Sequence, residues 1–173
     1  MKCFAFDVDG VLFDVSARLN VARERSVYRG TNFWDEFFNE ELIHLDKPRE
    51  AVYELISCRI REGKIVIISG RPRRLYNLTL EQISRYYGFR PLICYMRKDN
   101  DYRPSDVIKV ELIKRALESG LNIVEYHDDD LKVLKKVKLL YPQIALYLHE
   151  GDGYRVVWEG SEGGLSRYFK PAY

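Results

Sequence analysis

Asp7 and Asp9, in the stretch FAFDVDGVLF (4–13), stand two residues apart between runs of apolar side chains. Side chains alternate between the two faces of a strand, so both carboxylates point the same way if the strand runs through them. Like charges held together are costly unless something positive neutralises them. A second acidic run, HDDD (127–130), also follows apolar residues and adds Asp128 and Asp129. Carboxylates delivered by two strand ends make a hard-oxygen site suited to Mg²⁺, which takes a few carboxylates together with a substrate phosphate. With the cation bound, one carboxylate can attack phosphorus. A second can protonate the leaving oxygen and then activate water. In IISGRP (67–72), the Ser69 hydroxyl and the Gly70 N–H can hold phosphoryl oxygens. Lys109, in YRPSDVIKVELIK (102–114), falls about one turn into a helix, where it can reach inward and neutralise their charge.

Such a rim needs strands that end together. KCFAFDV (2–8), KIVIIS (64–69), LICYM (92–96), IVEYH (123–127) and IALYLH (144–149) read as strands, being β-branched or aromatic and bounded by turn signals. Between them, 48–63, 74–87, 105–119 and 130–141 repeat apolar positions at helical spacing and stop at Gly63, Gly88, Gly120 and Pro142. The alternation predicts an α/β fold, a mainly parallel sheet flanked by helices. Ligands of such sheets bind beyond the carboxyl ends of the strands, near a topological switch point. The acids, the Ser69-Gly70 turn and the bases of RKDND (97–101) all fall on that rim. Residues 14–47 interrupt the alternation as an insert, helical in parts, and the tail 151–173 offers GYRVVWEG (153–160) as an edge strand.

The chain of 173 residues suits a single domain with a real core. At 46% hydrophobic, 31% charged and a net charge of +2, it is globular, and global charge does not announce a nucleic-acid binder, so that role would need a local patch. No apolar run approaches the ~18 residues of a membrane span, and the first residues lack the pattern of a signal peptide. Cys3, Cys58 and Cys94 lie far apart with no paired spacing, which reads as reduced thiols in a cytoplasmic protein.

Each residue also has a plainer reading. Acids that end a strand often cap a turn, and Asp130 is the one best placed to cap the following helix. Lys109 alone reads as a solvated helix lysine, and arginines near helix ends are usually no more than that. His127 reads as a packed or rim residue rather than a base, while His44 and His149 carry no signal. Tyr28, Phe33, Trp34, Phe37 and Phe38 in the insert read as local core, with base stacking as the rarer use.

Taken in order, DVDGVL (7–12), SGRP (69–72), Lys109 and the DD of 128–129 resemble the motifs of the haloacid dehalogenase (HAD) superfamily of phosphotransferases, over roughly residues 2–150. The resemblance implies a Rossmann-like core with a small cap insert at 14–47. It implies Asp7 as nucleophile through an aspartyl-phosphate, Asp9 as acid and base, Ser69 and Lys109 as phosphate ligands, and Mg²⁺ on Asp7, Asp9 (through its carbonyl in the family), Asp128 and Asp129. More narrowly, RKDNDYRPSDVIKVELI (97–113) resembles the 3′-phosphatase domain of bacteriophage polynucleotide kinase, as do SGR (69–71) and EGDGY (150–154). Arg18 and Arg71 match positions of functional arginines there, which implies that they help bind phosphate. Val11 stands where the family commonly has Thr, Ser105 where the phage domain is acidic, and no GxxxxGK[ST] loop for a kinase half occurs. A short insert leaves the site open, so the implied substrate is a phosphate on a nucleic-acid end or a nucleotide. The alternatives are a small-molecule phosphatase, for a mononucleotide or sugar phosphate, or a nucleic-acid-binding module without turnover. The oligomeric state is not legible.

Overall fold

The computed structural model describes residues 1–161. Strand β1 (Lys2–Phe6) leads to a tight loop, a short strand β2 (Phe13–Asp14) and helices α1 (Ser16–Arg29) and α2 (Phe33–Phe37). A 3-10 turn at Glu40–Leu45 returns the chain through β3 (Lys47–Pro48) to α3 (Tyr53–Glu62) and β4 (Lys64–Pro72). Then α4 (Tyr76–Tyr87), β5 (Ile93–Arg97), α5 (Ser105–Glu118), β6 (Asn122–Asp128), α6 (Leu131–Leu140), β7 (Ala145–Glu150) and β8 (Gly153–Trp158) follow. The sheet has six strands in the order β5-β4-β1-β6-β7-β8, parallel except for β8, which pairs antiparallel with β7 at the edge. The expected α/β class and edge strand are therefore present, and 162–173, the rest of the tail, lie outside the described residues.

The strands are nearly continuous apolar runs because helices cover both faces. Phe4, Phe6, Ile65 and Ile67 pack on one face with the insert, while Ala5, Val66, Ile68 and Tyr126 pack on the other against α5 and α6. Chain order reverses at β1, whose neighbours are β4 and β6, so the switch point lies at the tip of β1. No helix of the described residues is long and apolar enough to cross a membrane.

Two boundaries differ from the sequence reading. The helix expected from residue 48 begins at Tyr53, because Lys47 and Pro48 pair antiparallel with Asp14 and Phe13 and the Arg49 N–H donates to the Leu12 carbonyl. Strand β1 ends at Phe6 rather than running through Asp9. The Asp7 N–H still donates to the His127 carbonyl, but the chain then turns, with Leu12 and Phe13 both donating to the Val8 carbonyl.

Candidate active site

That turn sends the two acids of the opening motif to different partners, so they do not share a strand face. Asp7 sits at the tip of β1, facing Lys109 from α5 and Asp128 from the end of β6. Lys109 Nζ lies 2.6 Å from Asp7 Oδ2 and 2.9 and 3.0 Å from the two oxygens of Asp128. Lys109 is thus no solvated helix lysine but is 4% exposed. The phenol of the fully buried Tyr126 donates to Asp128 Oδ2, and the Asp130 N–H donates to Asp128 Oδ1 at 2.8 Å. Asp130 itself caps α6, accepting from the Lys132 N–H.

Asp7, Asp128 and Asp129 each offer an oxygen, all within 4.8 Å of one another. One lysine does not balance three carboxylates in such a place. Burial pushes the Asp7 carboxyl up to about 8, against Lys109 and with the help of Asp128 and Asp129. Asp129 is raised to about 7, first by loss of water and then by Asp128. The same carboxylates hold Lys109 firmly protonated, although burial opposes it. Asp7 Oδ1 is buried and without a hydrogen-bond partner. Excess negative charge and an unpartnered hard oxygen are what a divalent cation would satisfy, so the donor set fits Mg²⁺. Gly10 lets Asp129 into this group: its φ is +79°, and a Cβ there would stand 2.0 Å from Asp129 Oδ2.

The Asp9 side chain lies outside the three-carboxylate group. Its Oδ1 accepts from Arg18 Nη2 at 2.6 Å and from Arg71 Nη2 and Nε at 2.6 and 2.9 Å. Arg18 Nε and Arg71 Nη2 also lie 2.8 and 2.7 Å from the two oxygens of Asp46. Burial opposes charge on Asp9, but Arg71 and then Arg18 hold its carboxyl down to about 2. Arg71 Nη1 donates to Thr79 Oγ1 and Gln82 Oε1 on α4, and Arg18 stacks 4.2 Å above the Phe37 ring. Both arginines are fully buried. Both guanidinium groups are engaged with Asp9 and Asp46, and they bolt the insert to α4.

Ser69 is fully buried, its hydroxyl accepting from the Arg71 N–H at 3.2 Å. Gly70 lies beside Lys109: a Cβ there would stand in ordinary contact with Ser105 Oγ at 3.4 Å, Arg97 Nη2 at 3.7 Å and Lys109 Cε at 3.8 Å. Arg97 Nη1 donates to the carbonyls of Asp101 and Arg103, while its Nε is buried without a partner. In the insert, Phe37 and Phe38 are core residues, whereas Trp34 and Tyr28 are 52% and 92% exposed. Reading the sequence missed Asp46, Tyr126 and Arg49. Asp46 stands among ordinary surface residues in HLDKP (44–48), and Tyr126 reads as another aromatic in a strand. Arg49 Nη1 donates to the Gly10 carbonyl and Nη2 to the Gly151 carbonyl, tying the loop after Asp9 to the β7–β8 turn.

A parallel sheet with its switch point at β1, and Asp7, Lys109, Asp128 and Asp129 gathered at that tip, define a phosphatase of the HAD superfamily. The chain belongs to the family of the polynucleotide kinase PNKP phosphatase domain, whose model matches residues 1–141. No curated protein matches it. Among solved structures, a chain of the Pnkp1/Rnl/Hen1 complex is similar at TM-score 0.65 and 20% identity, over 86% of this chain and 45% of that one. A chain of the Pnkp1/Rnl/Hen1 RNA repair complex is similar at TM-score 0.58 and 21% identity, over 79% of this chain and 39% of that one. This protein therefore spans less than half the length of those chains. A HAD-superfamily hydrolase of subfamily IA from Geobacter sulfurreducens is similar at TM-score 0.56 and 13% identity, over 84% of this chain and 88% of that one.

Proposed function

We propose that the protein is a Mg²⁺-dependent phosphomonoesterase that removes a terminal phosphate, foremost a 3′-phosphate, from nucleic-acid ends. The observation that carries the reading is the group of Asp7, Asp128 and Asp129 around a single buried lysine at the switch point. Mg²⁺ on these carboxylates would draw charge from the phosphoryl oxygens. Lys109 and the Ser69-Gly70 turn hold and neutralise the same oxygens.

An Asp7 oxygen attacks phosphorus, the bond from phosphorus to the sugar oxygen breaks, and that oxygen takes a proton from Asp9. Asp9 must then be protonated in the first step. Incoming phosphate favours this, because its negative charge opposes the pull of Arg18 and Arg71. In the second step Asp9, now ionised, takes a proton from water. The water oxygen joins phosphorus, the bond to Asp7 breaks, and inorganic phosphate leaves. Arg18 and Arg71 act here as positioning residues that aim Asp9, and their charge favours the ionised form that the second step uses. The whole chain works as one domain with 14–47 as a small cap, in the cytoplasm.

Phosphate release from 3′-phosphorylated oligonucleotides, with Mg²⁺ and with chelator, tests the reading. Release that needs the metal and vanishes in Asp7→Asn is expected. Activity confined to sugar phosphates or mononucleotides would remove the polymer from the proposal, and no release from any phosphomonoester would remove hydrolysis.

A further inference from the structure

One cation beside the site has no counter-charge and no part in the mechanism above. Arg97, at the end of β5, is half-buried. Its Nη1 donates to the main-chain carbonyls of Asp101 and Arg103, at 3.0 and 3.3 Å, and its Nε is buried without a partner. Among the described residues its Nη2 donates to nothing, and Arg97 makes no ion pair. The acids nearby are taken: the Asp101 carboxylate accepts from Arg103 Nη2 at 2.7 Å, and Asp99 accepts from the Arg74 N–H at 2.9 Å. Burial lowers the Arg97 pKa, against the pull of Asp101 and with the help of Arg103. A guanidinium nevertheless keeps its charge in a protein. A half-buried cation in this state is costly unless an anion meets it.

Position joins this arginine to the site. Ser105 Oγ, Arg97 Nη2 and Lys109 Cε stand 3.4, 3.7 and 3.8 Å from where a Gly70 Cβ would be. Arg97 Nη2 therefore borders both the Ser69-Gly70 turn and Lys109, the groups assigned above to the terminal phosphate. With that phosphate held by them, the charge of Arg97 is left for a second anion next to it.

Away from Gly70, Arg97 lines a groove between α2 of the insert and the segment after β5, with Trp34, Phe38, Arg74, Lys98 and Tyr102. Arg74 and Lys98 are exposed and form no ion pair among the described residues, so cations continue along it. Of its two acids, Asp101 is paired with Arg103, and Asp35 accepts from the Tyr102 hydroxyl at 3.4 Å. Trp34 and Tyr102 are 52% and 64% exposed, and bases stack on such rings whatever their sequence. The groove encloses only about 20 Å³, so it suits a strand lying along it rather than a small molecule held inside.

We infer that this groove carries the strand of a nucleic-acid substrate and that Arg97 Nη2 grips the phosphodiester next to the terminal phosphate. The inference rests on the phosphatase reading above and adds to it how a polymer end is told from a lone phosphomonoester. A charge-assisted hydrogen bond of this kind corresponds to roughly 10- to 100-fold in affinity. One phosphate contact on a single strand corresponds to about 0.7 in the slope of log Kd against log salt.

The test uses two single-stranded 3′-phosphorylated oligonucleotides, one with an uncharged methylphosphonate in place of the last phosphodiester. Phosphate release with Mg²⁺ gives the ratio of kcat/KM, and fluorescence anisotropy in chelator gives the ratio of Kd without turnover. The unmodified protein should favour the charged linkage by about 10- to 100-fold. Arg97→Met removes the guanidinium and should bring both ratios close to one. Its salt slope on the charged oligonucleotide should be shallower by about 0.7. Arg97→Gln keeps an amide donor for the Asp101 and Arg103 carbonyls and should behave in the same way. Thermal unfolding of each variant separates loss of the contact from loss of the fold, and Arg97→Gln carries the comparison if Arg97→Met is unfolded. A ratio near one in the unmodified protein, or an unchanged ratio in a folded variant that loses activity equally on both oligonucleotides, overturns the inference. If neither oligonucleotide is hydrolysed, the phosphatase reading has failed, and the anisotropy ratios still decide whether Arg97 grips the strand.

Discussion

Replacing Arg71 by Met tests whether the buried charges around Asp9 form a balanced set. Arg18, Arg71, Asp9 and Asp46 carry two positive and two negative charges, with Arg18, Arg71 and Asp46 side chains at 0% exposure and Asp9 at 19%. Met fills much of the volume of Arg71 but leaves Asp9 and Asp46 with Arg18 alone. Removing one partner of a buried ion pair costs about 3–5 kcal/mol, a large share of the ~5–15 kcal/mol that holds a domain folded. Asp46→Asn in the same chain restores neutrality, leaving one arginine and one carboxylate. The double variant should therefore be more stable than the sum of the two single losses by about 1–3 kcal/mol. Urea unfolding of the four proteins gives the coupling, provided the slopes agree. Phosphatase activity should be lost in both Arg71→Met proteins, because Asp9 is no longer aimed. If Arg71→Met costs less than about 1 kcal/mol, or the two losses simply add, the arginine is free for phosphate and the charge-balance reasoning is refuted.

Other outcomes follow from the same contacts. His127 and His149 are depressed by burial in the folded state, His149 to about 2, so their stabilising contribution is complete above the unfolded value of about 6.5 and is lost as pH falls below it. At pH 5 the share of His149 is about 2 kcal/mol, and denaturant unfolding of His149→Phe from pH 7 to pH 5 should lack it. Gly10→Ala places a methyl group on the Asp129 carboxylate and a side chain at φ +79°. It should lower stability by about 1–2 kcal/mol and raise the Mg²⁺ concentration needed for half-maximal activity, which a metal titration reads. Tyr126→Phe removes the buried donor to Asp128 and should cost about 1.5–3 kcal/mol in urea unfolding, because the acceptor is charged.

The strands and their shared rim could be read from the sequence because parallel strands buried on both faces are continuous apolar runs, and the polar residues that end them must be where the faces end. Lys109 could be placed in the site only through the resemblance of the motifs around it, because a lysine one turn into a helix reads by itself as solvated. What could not be read depends on contacts between distant segments. Whether Asp7 and Asp9 diverge is decided by the turn at Val8–Phe13, and the ion pairs of Arg18 and Arg71 depend on Asp46, which the insert returns to them from 28 residues after Arg18. The polar role of Tyr126 depends on one hydroxyl facing Asp128, and the contact of His149 with His127 depends on the register that sets β7 beside β6. Neither leaves a pattern along the chain.

The central claim is that Asp7 itself takes the phosphoryl group. Acid quenching during turnover of a 3′-phosphorylated oligonucleotide, followed by peptide mass spectrometry, reads this directly. One phosphoryl group on the peptide containing Asp7, absent with chelator and in Asp7→Asn, is the predicted result. Phosphate release by Asp7→Asn at the rate of the unmodified protein, or a phosphoryl group trapped on another residue, would contradict it.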